Sequence, residues 1–181
     1  MTPEEKVHTV PGTLYSDLQE KTNYNYYDMK RDLYDILVHD TCIYGIGIND
    51  SEYELYFDLD VINHCVNHED GYSYELFPAT IVFKNVRDIS LDISTHEHID
   101  VDHIEVAYCG IPKNSEYIQA FAEYEVTIDC LQGLISFKTI GGYLIPKGNA
   151  IVAENVYIGI SSKRPISFSL EGEIIQFEMQ S

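Results

Sequence analysis

The chain has 181 residues, 45% of them hydrophobic and 23% charged, a composition suited to one globular domain that buries its own core. Thirty acidic residues against eleven basic ones leave a formal charge of −19. That balance disfavours nucleic-acid phosphates and anionic membrane surfaces as direct partners, and favours a basic protein or cations.

Residues 1–23, opening "MTPEEKVHTV", are polar and aperiodic and read as a flexible N-terminal segment. They lack the basic start and apolar centre of a signal peptide, and no apolar run approaches the ~18 residues of a membrane span. The expected compartment is therefore cytoplasmic. Residues 24–181 read as a single β-rich domain. Its first element is a helix over residues 25–38, with Met29, Leu33, Ile36 and Leu37 on one face and Asn25 placed to cap it.

From residue 43 the period is two. "CIYGIGI" and "YELYFDLDV" flank the turn-forming "NDSE" and predict a hairpin. Its second arm puts Tyr53, Leu55, Phe57, Leu59 and Val61 on an apolar face, with Glu54, Tyr56, Asp58 and Asp60 on the opposite one. Residues 62–73, "INHCVNHEDGYS", break the alternation and read as a loop or one helical turn. "YELFPATIVFKNV" and "RDISLDIS" follow as strands, the latter alternating Ile89, Leu91 and Ile93 against Ser90, Asp92 and Ser94. "EYEVTIDC" and "LISFKTI" meet at "LQG" in a second hairpin. After the Gly141–Gly142 and Pro146–Lys147–Gly148 turns come "AIVAENVYIGI", "PISFSL" and "EIIQFEM". About ten turn-punctuated strands predict a mainly β fold, an antiparallel sandwich or open barrel with one short N-terminal helix.

Cys42, Cys65, Cys109 and Cys130 are widely separated and form no CxxC pair. They are expected to be reduced, with Cys109 and Cys130 acting as small hydrophobes within strands.

Two stretches hold metal-ligand residue types. In "STHEHIDVDHIEV", a continuing strand sends His96, His98, Asp100 and Asp102 to one side. Side chains on one strand face run in a row, whereas an ion needs donors that converge on a point, usually with help from another element. The spacing HxHxDxDH departs from the HxHxDH of the metallo-β-lactamase fold. A cupin-like comparison is nearer, through His96-x-His98 and the later Pro146-Lys147-Gly148 and Asn155. There the second-motif histidine falls on Ile151, and Glu105 lies too far from the HxH pair. A cupin-like metal enzyme using His96, His98 and Asp100 is accordingly the alternative reading, and no cofactor is expected. In the other stretch, His64 and His68 would share a helix face as in HExxH zinc sites, but Cys65 stands where the motif has glutamate. No nucleophile elbow, catalytic-cysteine signature or phosphate-binding glycine loop occurs.

A broader likeness rests on "YDILVHDTCIYGIGIND", "YELYFDLDVI", "FPATIVFKNVRDISLDI", "EYEVTIDCLQGLISFKTIGGY" and "RPISF", spread over residues 34–168. Together they resemble small bacterial β-rich proteins of unassigned activity, some regarded as immunity proteins of polymorphic toxin systems. Tyr124 stands where those relatives often carry Trp. The resemblance implies a β-sandwich without a catalytic set. The function expected is a non-enzymatic cytoplasmic binding protein, of an immunity type that masks a basic toxin surface. Glu52, Glu54, Tyr56, Asp58 and Asp60 are its expected contact residues, exposed on the hairpin's polar side. A homo-oligomer is compatible with the sequence. The third reading is a ligand-binding or structural β module without chemistry.

Overall fold

The alternating segments pair into long antiparallel ladders. The computed structural model describes residues 31–38, 40–69, 71–94, 98–111, 121–148, 151–154 and 166–179. In chain order these form β1 (Arg31–Asp32), α1 (Leu33–Ile36), β2 (Cys42–Asn49), β3 (Glu54–His68), β4 (Gly71–Phe83), β5 (Arg87–Ile93) and β6 (Ile99–Gly110). They continue with β7 (Glu123–Cys130), β8 (Gly133–Thr139), β9 (Gly142–Pro146), β10 (Ile151–Glu154) and β11 (Ile175–Glu178). The hydrogen-bonded path runs β1-β11-β9-β4-β3-β2-β6-β7-β8-β5, with β10 also on β4. β1 and β5 are its ends, so the sheet is not closed.

Two sheets emerge because the β2–β6 seam is short: Cys42↔Asp100 and Ile43↔Ile99 pair across it, and the backbone bonds Asp40 N to Val101 O and Val101 N to Thr41 O extend it. On one side lie β2, β3, β4, β9 and β11, on the other β6, β7, β8 and β5. They share one core. Leu55, Phe57, Leu59 and Val61 of β3 are fully buried, as are Ile81 and Phe83 of β4 and Val126, Ile128 and Ile135 of the second sheet. Phe137 of β8 meets Phe83 edge-on at 4.7 Å and Phe57 at 6.1 Å, and Phe83 also meets Phe177 at 5.7 Å. Each such pair adds about 0.5–1.5 kcal/mol beyond the burial of its rings.

The mainly β architecture matches the sequence expectation, and several local elements differ from it. The helix is one turn in the described residues. Arg31 and Asp32 form a parallel ladder with Phe177 and Glu178 instead. Asp32 is the cap: its carboxylate accepts from Tyr34 N at 3.0 Å while Asp35 reaches back to Asp32 N, a reciprocal arrangement that starts the helix there. Leu37 leaves helical dihedrals at φ −99° and ψ 61°. Asn25 and Met29, like all of residues 1–30, lie outside the described residues. The turn of helix inserts Leu33, Ile36 and Leu37 into the core, and the Tyr34 hydroxyl accepts from Val106 N on the strip of β6 beyond the seam.

Residues 62–68 and 71–73 are strand rather than loop. β3 and β4 pair without interruption to His68↔Gly71, past a bulge between Ile62 and His64 that shifts the phase of the alternation. The sequence pattern breaks there because of that extra residue. His64 and His68 thus sit on a strand and not on a helix, so the helix-face spacing does not apply to them. Pro78 stands inside β4, yet the flanking ladder switches from β9 to β10 beside it, so its missing N–H costs no bond on that side. The segment "PISFSL" forms no ladder strand in the described residues 166–170. Cys109 is exposed rather than packed; it is the residue skipped at the register shift between Tyr108 and Gly110. Among the described cysteines, Cys42, Cys109 and Cys130 are thiols outside any disulfide.

Candidate functional site

The contact residues expected on β3 divide once the neighbouring chain is in place. Glu52 is exposed at the hairpin tip and Glu54 is half-buried. Tyr56 is buried at 9% exposure; its hydroxyl donates to Glu54 Oε2 at 2.5 Å and accepts from Asn49 Nδ2 at 3.1 Å. Burial, and then the hydrogen bond to Glu54, raises the Tyr56 pKa above the ordinary phenol value. Asp58 is fully buried and Asp60 is 5% exposed, which corrects the expectation that both face solvent.

For Asp58 the cause is a strap. Residues 166–170 cross the outer face of β2, β3 and β4. Ser167 N donates to Asp58 Oδ2 at 2.7 Å, and Ser169 N donates to Thr80 Oγ1 at 3.0 Å. Lys147, from the turn after β9, bonds both Asp58 and the Ser167 carbonyl. The glycines of "YGIGI" make the room. A Cβ at Gly45 would lie 2.5 Å from Ile166 Cγ2, and one at Gly47 would lie 3.3 Å from the Phe168 ring. Asp60 accepts from the Tyr44 hydroxyl at 2.8 Å. Burial, then the Asp60 and Cys42 charges, pushes the Tyr44 pKa up, so its hydroxyl keeps its proton and acts as a donor.

On the other sheet no described segment crosses the outer face. His103, Glu105 and Ala107 of β6 lie beside Asp129, Thr127 and Glu125 of β7. These in turn lie beside Leu134, Ser136 and Lys138 of β8, and Asp92 of β5 opposes Leu134. Glu105, Glu125, Asp129 and Asp92 are all exposed. The cations of this sheet gather at one edge. Arg87 holds Glu123 through Nε at 2.7 Å and Nη2 at 2.5 Å, and Lys138 holds Asp88 at 3.0 Å. The Arg87 hydrogen bonds keep the Glu123 carboxyl below the usual carboxylate range.

The metal-type residues are partly brought together. His96 falls outside the described residues. His98 Nε2 lies 3.2 Å from Asp100 Oδ1, and both side chains are half-buried. Asp102 and His103 are exposed and take no part, since a bulge between Val101 and His103 breaks the row. Sequence reasoning missed two residues. Cys42, fully buried, opposes Asp100 on β2, and donor atoms of Cys42, His98 and Asp100 lie within 4.8 Å of one another. Gln132, from the β7–β8 turn, fixes Asp100 by donating Nε2 to Oδ2 and accepting from Asp100 N, each at 2.8 Å. The β2–β6 register brings Cys42 to Asp100 and the β6–β7 pairing brings Gln132, and no local spacing signals either.

No protein-family model matches the chain, and no curated protein or solved structure matches it. What the fold and its faces define is an open, mainly antiparallel β protein with one strapped outer face and one exposed, acid-rich one among the described residues. No helix among the described residues is long and apolar enough to cross a membrane.

Proposed function

We propose that this chain is a non-enzymatic binding protein that presents the outer face of β6, β7 and β8 to a basic protein. An immunity-type inhibitor masking a basic toxin surface is its specific form. The observation that carries the reading is how charge is sorted. Of the basic side chains described, Arg87, Lys138 and Lys147 are committed to ion pairs and Lys84 lies over the Tyr143 ring. Glu105, Glu125, Asp129 and Asp92 meanwhile stand exposed on one face. The row between them holds Thr127, Ser136 and Ser90, small side chains over which a partner can approach closely.

Like charges on a sheet face repel one another in the free protein, and a basic partner relieves that repulsion. Long-range attraction acts chiefly on the association rate. The first partner to test is the protein encoded beside this gene, followed by other basic proteins of the same genome. Stopped-flow association should be fast at low salt and slow steeply as the screening length shrinks from ~30 Å at 0.01 M to ~8 Å at 0.15 M. If no basic protein binds, or the association rate ignores salt, the acidic face serves solubility alone.

A further inference from the structure

We infer that Cys42, His98 and Asp100 form a site for one divalent transition-metal ion, with zinc as the best match. The objection raised by the sequence, that donors on one strand run in a row, is removed by the seam between the sheets. Cys42 opposes Asp100 across the β2–β6 ladder, so the two side chains leave the same face, and His98 precedes Asp100 by one pleat repeat on that face. β2, β6 and the residue just before β6 thus bring three donors together, all within 4.8 Å of each other.

The spacing suits a tetrahedral ion. With metal–nitrogen and metal–oxygen bonds of about 2.0–2.1 Å, adjacent ligand atoms stand about 3.3 Å apart. His98 Nε2 and Asp100 Oδ1 already lie 3.2 Å apart. Asp100 is fixed in orientation. Gln132 engages its Oδ2 and its backbone N–H, and Leu131 N donates to its carbonyl at 2.9 Å, so Oδ1 is the oxygen turned to His98. Such outer hydrogen bonds orient the ligands in metal sites. Cys42 also sits between two carboxylates, since its partner on β3 is Asp60. A thiolate, an imidazole and a carboxylate are the donors zinc accepts, whereas calcium and magnesium take oxygen alone. The sulfur lies at the buried end, fully covered, and the His98 and Asp100 side chains keep 14% and 24% of their surface. The ion enters from that side, and a water completes its shell. Placed there, it would pin the short seam that joins the sheets.

The test uses the full chain, stripped with chelator and titrated with cobalt chloride and then zinc sulfate. One equivalent of cobalt should give tetrahedral visible absorption and a thiolate-to-cobalt charge-transfer band, both displaced by one equivalent of zinc. Cys42→Ser should abolish the charge-transfer band and His98→Gln should weaken binding at least tenfold, while His103→Gln leaves both unchanged. Gln132→Ala should cost about 10- to 100-fold in affinity. If Cys42→Ser does not fold, His98→Gln and Gln132→Ala, which alter half-buried side chains, decide the matter. Absence of the charge-transfer band in the wild type overturns the site. So does zinc binding that His98→Gln leaves intact, since the ion would then sit on surface carboxylates.

Discussion

The two outer faces of this molecule are written in nearly the same sequence language and end in opposite environments. β3 alternates Leu55, Phe57 and Leu59 with Tyr56, Asp58 and Asp60, and β7 alternates Val126 and Ile128 with Glu125, Thr127 and Asp129. In both strands the apolar set enters the common core. Tyr56 and Asp58 of β3 lie against residues 166–170 and Lys147, and Asp60 is buried against Tyr44, while Glu125 and Asp129 of β7 are exposed. Alternation therefore marks which side of a strand meets the core, and says nothing about whether a later segment crosses the other side.

The largest effect should come from opening the strapped face. Removing the Asp58 carboxylate by Asp58→Ala leaves the Lys147 ammonium, 8% exposed, without that anion, and breaking a buried pair costs about 3–5 kcal/mol. Urea denaturation should register a loss of that order. A loss under about 1 kcal/mol would mean that the strap contributes little to the fold.

A smaller effect is expected at Gly45. The methyl group of Gly45→Ala collides with Ile166, and forcing extra volume into packed structure costs typically about 1–3 kcal/mol. Hydrogen exchange is the sharper readout. The Ser167 and Ser169 amides, bonded to Asp58 and Thr80, should exchange faster in the variant while core amides of β7 stay protected. Unchanged protection at Ser167 would contradict the contact.

On the second sheet the buried carboxylate is at the edge. Glu123 is 5% exposed, and Arg87 lowers its pKa. A lowered folded-state value contributes stability that is fully present above the ordinary glutamate pKa of about 4.3 and is lost as pH falls through the folded value. Glu123→Gln should therefore cost stability at neutral pH and flatten part of the acid limb of a stability-against-pH curve. An acid limb identical to wild type would show that the ion pair is not formed.

How far the sequence can be read follows from the range of the forces involved. Hairpins such as β2–β3 and β7–β8 are local, so turn residues and period-two alternation suffice to place them. The β3–β4 extension escapes that reading because a single bulge residue reverses the phase. The burial of Asp58 depends on Ser167, 109 positions away, and the Cys42–Asp100 pairing depends on the β2–β6 register. Neither distance leaves a mark in local composition. The exception is Gly45 and Gly47: although β2 has a bulge between Ile43 and Gly45, two glycines this close together in one strand also fit a close approach by another part of the chain, here Ile166 and Phe168.

Stability should respond least on the exposed, acid-rich face. The triple replacement Glu105→Gln, Glu125→Gln and Asp129→Asn touches exposed side chains and should shift stability by no more than about 0.5 kcal/mol per site. Its effect should appear in binding, and the salt dependence of the association rate with a basic partner tests the proposed face most directly. Stopped-flow rates measured at low and physiological salt should fall steeply for the wild type and for Glu52→Gln, and much more gently for the triple variant. Equal salt slopes in the wild type and the triple variant would contradict the assignment of partner binding to the β6–β7–β8 face.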